Sequence, residues 1–191
     1  MNNMELRLAG SGGQGIILAT VILAEAAVLA GMHAAQSQSY GPEARGGSCK
    51  AEVLISRDPI GYTKVRKPTL LLVLTQQALD QYANPLPEGC TLVADSSLTV
   101  PDSVNPSQVV SLPILQTARE KVGKIMTANI IAVSCINTLL KLVPKEQLYE
   151  AVMRHIPKGT EALNIAALEA GESLIPSAPD SPKKQKAGIP S

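Results

Sequence analysis

Between Gly10 and Gly15 the chain reads Gly10-Ser11-Gly12-Gly13-Gln14-Gly15, which satisfies G-x-G-x-x-G, and an apolar run follows directly. Glycines at this spacing permit positive φ and let the backbone approach another surface closely. A helix opening behind them offers free N–H groups and a partial positive charge to an anion or carbonyl. A dinucleotide fingerprint also wants an acid about 20 residues on, to hold a ribose. The sequence has Gln36-Ser37-Gln38-Ser39 there. A phosphate-binding P-loop would need Lys and Ser/Thr after Gly15, where Ile16 and Ile17 stand. The turn therefore reads either as a ligand contact or as a tight, closely packed strand-to-helix turn.

A second irregular segment is Ser39-Tyr40-Gly41-Pro42-Glu43-Ala44-Arg45-Gly46-Gly47. Arg45 suits bidentate binding of a carboxylate or phosphate. Tyr40 offers a ring or a hydroxyl, and Gly46 and Gly47 allow close backbone approach. In the alternative, Glu43 and Arg45 brace the loop against the chain itself. Both segments follow strands read as neighbours, so they are expected together at the C-terminal edge of the sheet, near an active site or a subunit interface.

Other reactive side chains are sparse. Cys49, Cys90 and Cys135 form no C-x-x-C pair, which argues against a zinc or iron–sulfur site on this chain alone. They read as buried structural thiols. His33 and His155 have no ligand or nucleophile partner nearby in sequence, and G-x-S-x-G is absent. No catalytic residue is assigned.

The elements that must carry these segments alternate in type. Strands are expected at 5–9, 33–37, 49–56, 69–75, 91–94 and 109–113. Helices are expected at 16–30, 76–82, 117–138 with a break at Gly123, 145–155 and 158–170. The fold class is α/β: a Rossmann-like, mostly parallel sheet flanked by helices, with a helical C-terminal part. The second strand leads into another strand, where a Rossmann unit would place a crossover helix. With 45% hydrophobic residues but no Trp or Phe, the core must be built from Leu, Ile, Val and Ala, as suits a buried parallel sheet. One domain spans 1–173. Residues 174–191, rich in Pro, Lys and Ser, are expected to be a disordered tail. The 16–30 helix is apolar on nearly every face, so another subunit is expected to supply part of its cover.

A net charge of +1 without a basic stripe sets nucleic-acid binding aside. The N-terminus lacks a signal-peptide pattern, and the longest apolar run is short of the roughly 20 residues needed to span a bilayer. A soluble, cytoplasmic protein without a membrane role is expected.

The glycine turn and the Ser39–Gly47 segment together resemble the gamma subunit of 2-oxoacid:ferredoxin oxidoreductases. Further matching features are Asp58-Pro59, Lys124 with Ala128-Asn129, and Asn164-Ile-Ala-Ala167 with Gly171, so the resemblance spans about 5–171. Ser134 departs from it, standing where glycine is expected, and this puts one helix contact in question. The resemblance implies a complex that converts a 2-oxoacid, CoA and oxidised ferredoxin to acyl-CoA, CO2 and reduced ferredoxin, with 2-oxoglutarate preferred among the substrates. It implies alpha and beta partner subunits and a ferredoxin-like delta subunit, which hold thiamine diphosphate, magnesium and the 4Fe–4S clusters, with CoA as co-substrate. The residues agree: no glycine is followed by Asp, so no Gly-Asp-Gly diphosphate segment exists, and there is no cysteine array. No cofactor is expected on this chain alone. The alternatives are a stand-alone dinucleotide-binding oxidoreductase and a non-catalytic assembly scaffold.

Overall fold

The computed structural model describes residues 3–40 and 48–176. Strand β1 (Met4–Ser11) feeds helix α1 (Ile16–Leu29), and β2 (His33–Tyr40) and β3 (Ser48–Ser56) follow. Next come β4 (Leu70–Val73), α2 (Gln76–Tyr82), β5 (Thr91–Asp95) and β6 (Val109–Leu112). The chain closes with α3 (Ile114–Glu120), α4 (Ala128–Leu140), α5 (Lys145–His155) and α6 (Glu161–Leu174).

The six strands form one sheet in the order β2-β3-β1-β4-β5-β6. Its β1-β4-β5-β6 part is parallel, while β3 runs antiparallel to both β1 and β2. The α/β, mostly parallel reading holds. The two strands carrying the candidate segments are not neighbours, however, because β3 lies between them. The physical reason is the direct β2–β3 connection: without a crossover helix, β3 returns antiparallel and fills the place beside β1.

Leu6, Leu8, Val53, Leu70 and Leu72 point to the face covered by α1, α4, α5 and α6, whereas Ala9, Leu71, Val73 and Leu92 pack under α2 on the other. Burial on both faces explains why 70–74 is apolar throughout rather than alternating. Each fully buried Leu stabilises the fold by roughly 2 kcal/mol relative to exposure.

Several boundaries move. β2 runs on through Ser39 and Tyr40, which pair with Lys50 and Cys49, so these two residues are strand and not loop. The expected 117–138 helix is two: α3 ends at Glu120, Gly123 takes φ 81°, and a 3-10 turn over Ile125–Thr127 leads into α4. α6 begins three residues later than expected and reaches Leu174; Leu174 and Ile175 pack against the core. Gly41, Pro42, Glu43, Ala44, Arg45, Gly46 and Gly47, and the tail from 177, lie outside the described residues.

The sheet, α4 and α5 cover much of α1, while Ile17, Leu18, Val21 and Leu29 are half-buried and Val28 is 57% exposed.

Candidate functional site at the glycine turn

The turn begins inside β1. Gly10 and Ser11 are strand residues facing Cys49 and Ser48, so the start of β3 ties the end of β1 to the end of β2, where Tyr40 faces Cys49. The glycine turn and the described start of the second segment, Ser39 and Tyr40, therefore share one edge of the sheet across β3.

The glycines divide into two kinds. Gln14 folds back over the turn, its Oε1 accepting from the Ser11 amide at 2.7 Å, and a Cβ on Gly10 would lie 2.4 Å from that oxygen. Gly15 has φ 69°, and a Cβ there would lie 2.4 Å from Asn129 Nδ2. Asn129, buried at the start of α4, donates to the Gly15 carbonyl at 3.4 Å and accepts from the Ile130 amide at 3.0 Å. Gly10 and Gly15 thus serve internal packing. Gly12 and Gly13 are exposed, and a Cβ on either would meet nothing within 4 Å. Their backbone is open to another surface.

Beside the turn lies a cleft of about 250 Å³. Its walls include Gly15, Thr127 and Thr160, the residues that precede α1, α4 and α6. None of the three N-cap residues bonds a first-turn amide with its side chain, although Asn129 Oδ1 takes the Ile130 amide of α4, so α1 presents the most open amides to an acceptor. Among the described residues Lys124 adds the one charge in the lining, and no carboxylate lines the cleft. Apolar walls with amides and an ammonium suit an anionic group attached to an apolar body.

Asn164, a feature of the resemblance, lines the cleft and is held by its bonds to the Thr160 carbonyl and hydroxyl at 2.9 and 3.1 Å. Gly171 explains the Ser134 departure. Helices α4 and α6 approach so closely that a Cβ on Gly171 would lie 2.5 Å from the Ile131 carbonyl oxygen. Ser134 fits opposite by donating its hydroxyl to the Leu168 carbonyl at 2.6 Å. The contact questioned at Ser134 is intact.

Thiol chemistry has little footing. Burial pushes the Cys90 thiol up to about 11 and the Cys135 thiol up to about 12, and raises half-buried Cys49 as well. Among the described residues no group of three His, Cys, Asp or Glu side chains could hold a metal ion. No helix of the described residues is long and apolar enough to cross a membrane.

Sequence reasoning missed two features. His155 pairs with Glu25, which also accepts from Arg154 at 2.9 Å, clasping α5 to α1. Glu25 as the lone charge of α1 was a signal, but the partner 130 residues away was not legible. Ile125 and Met126, within the expected 117–138 helix, lie instead on an exposed 3-10 turn.

The family model described as pyruvate ferredoxin/flavodoxin oxidoreductase matches residues 5–174. The chain belongs to that family. It is 43% identical over 170 residues to the 2-oxoglutarate synthase subunit KorC of Methanocaldococcus jannaschii, covering 87% of this chain and 91% of that one. It is 40% identical to the keto/oxoacid ferredoxin oxidoreductase gamma subunit of Geobacter sulfurreducens, whose crystal structure matches with a TM-score of 0.81 over 91% of this chain and 97% of that one. A further solved structure, the 2-oxoglutarate:ferredoxin oxidoreductase of Magnetococcus marinus with 2-oxoglutarate, coenzyme A and succinyl-CoA bound, shares the fold. There the TM-score is 0.81 at 22% identity, and the match covers 91% of this chain and 31% of that one. Membership in this oxidoreductase family does not favour a stand-alone dinucleotide enzyme.

Proposed function

We propose that this chain is the gamma subunit of a cytoplasmic 2-oxoglutarate:ferredoxin oxidoreductase, inactive alone and working inside a complex with alpha, beta and ferredoxin-like delta subunits. The observation that carries the reading is the 43% identity, over nearly the whole of both chains, to a subunit named for 2-oxoglutarate. The complex would convert 2-oxoglutarate, CoA and oxidised ferredoxin to the acyl-CoA, CO2 and reduced ferredoxin, with thiamine diphosphate, magnesium and 4Fe–4S clusters held by its partners.

This chain contributes a wall of the active-site region or a subunit interface. Gly12 and Gly13 present open backbone, and β2 ends at Tyr40 beside the start of β3 at the same edge, flanking the sequence segment with Gly41, Pro42, Glu43, Arg45, Gly46 and Gly47. Arg45 would meet a CoA phosphate or a partner carboxylate, and the cleft offers amides to the same chemistry.

Native purification of this chain from its host, followed by 2-oxoacid assays with CoA and ferredoxin, tests the proposal. Co-recovery of thiamine-binding and iron–sulfur subunits, with highest kcat/KM on 2-oxoglutarate, supports it. Recovery of the chain alone and metal-free overturns it, and preference for another 2-oxoacid overturns the substrate.

A further inference from the structure

Large apolar side chains exposed among the described residues are Val28, Ile125, Met126 and Ile165. Ile125 and Met126, 43% and 58% exposed, are consecutive. They sit on the 3-10 turn that opens α4, where Met126 lines the cleft beside the glycine turn.

This apolar pair is held and does not merely dangle. The Lys124 amide donates to the Ala118 carbonyl at 2.9 Å, fastening the segment to α3. The Lys124 carbonyl then accepts from both the amide and the hydroxyl of buried Thr127, at 3.0 and 2.7 Å. A turn so fixed presents its side chains with little ordering entropy left to lose on association. Methionine adds an unbranched, adaptable side chain that fills irregular pockets.

Charge narrows what can sit here. Lys124 is exposed, and among the described residues it has no ion pair and is the only charge on the cleft lining. A surface that covers Met126 without leaving Lys124 uncompensated must offer a carboxylate beside an apolar pocket.

We propose that the Lys124–Ile125–Met126 turn is the anchor by which this chain docks onto a partner subunit of its complex, Met126 and Ile125 entering an apolar pocket and Lys124 pairing with a carboxylate at its rim. This rests on the reading of the chain as a subunit and adds the residues that make the joint. A small cluster of this kind typically dominates association, while surrounding contacts exclude water.

The test co-expresses wild-type chain, Met126→Asp and Lys124→Glu with the alpha, beta and delta subunits and measures assembly by native mass spectrometry. A photo-crosslinking residue at Met126 reports the neighbour. Met126→Asp is expected to weaken assembly about tenfold or more, and Lys124→Glu to weaken it more at low salt than at high. The isolated variants should melt within about 2 °C of wild type, as exposed substitutions do. The crosslink should land on one partner subunit. Wild-type-like assembly of both variants, or no crosslink in the assembled complex, overturns this inference alone. Failure of the wild-type chain to recruit the other subunits overturns the subunit reading with it.

Discussion

The carboxamide of Asn129 lies against the backbone of Gly15, locking the first turn of α4 to the first turn of α1 across 114 residues of sequence. Gly15 sits at φ 69°, and its missing Cβ is the space the amide fills. Gly15→Ala should therefore destabilise the isolated chain by about 2–4 kcal/mol, combining left-handed strain with overpacking. Urea denaturation measures it. Relief by a companion Asn129→Ala would identify the clash.

Gly12→Ala is the contrasting case. Its Cβ would meet nothing, and its φ is not positive, so stability should change by less than about 0.5 kcal/mol. If a partner's surface approaches this backbone, the same substitution lowers turnover of the assembled complex. Loss of stability and turnover together would instead mark the whole turn as internal packing.

Gly171→Ala and Ser134→Ala separate two parts of the α4–α6 contact. The first drives a methyl group toward the Ile131 carbonyl and should cost about 3 kcal/mol. The second loses one buried hydroxyl bond to Leu168 and should cost about 1 kcal/mol. Ser134→Gly, restoring the residue expected from the family resemblance, should leave Gly171→Ala less harmful than it is in the wild-type background.

Glu25 gives the pH dependence a sign. Burial alone would raise its carboxyl, but the hydrogen bonds and charges of Arg154 and His155 bring it below the ordinary 4.5. A carboxyl depressed in the folded state stabilises above its unfolded pKa, and the benefit is lost as pH falls through the folded value. Stability should thus drop as pH falls below 4.5. Glu25→Gln should lower stability at neutral pH and flatten that drop. An unchanged acid limb in thermal melts across pH would show that the clasp contributes nothing.

Thiol labelling should be ordered by burial. Cys49, half-buried at the start of β3, should react before Cys90 and Cys135, whose thiols are raised to about 11 and 12. Mass spectrometry of native and urea-treated chain after maleimide treatment resolves the order. All three should label once unfolded.

Local information carried much of this protein. The apolar run 69–75 between Pro68 and Gln76, the glycine-rich turn before Ile16, and the family-like segments at 10–15 and 39–47 are contiguous. Their elements, their class and their family could be read from neighbours along the chain, because φ preference and side-chain periodicity act over a few residues. Tertiary structure decided what depends on distance through space. It placed β3 between β1 and β2, since backbone pairing and not sequence order sets strand neighbours. It assigned Gly10 and Gly15 to packing and Gly12 and Gly13 to the open surface, because only the folded chain brings Gln14 and Asn129 against the first pair. It covered much of α1 from within and left Ile125 and Met126 bare, since burial is a property of packed faces, and the α3–α4 break turned those two outward.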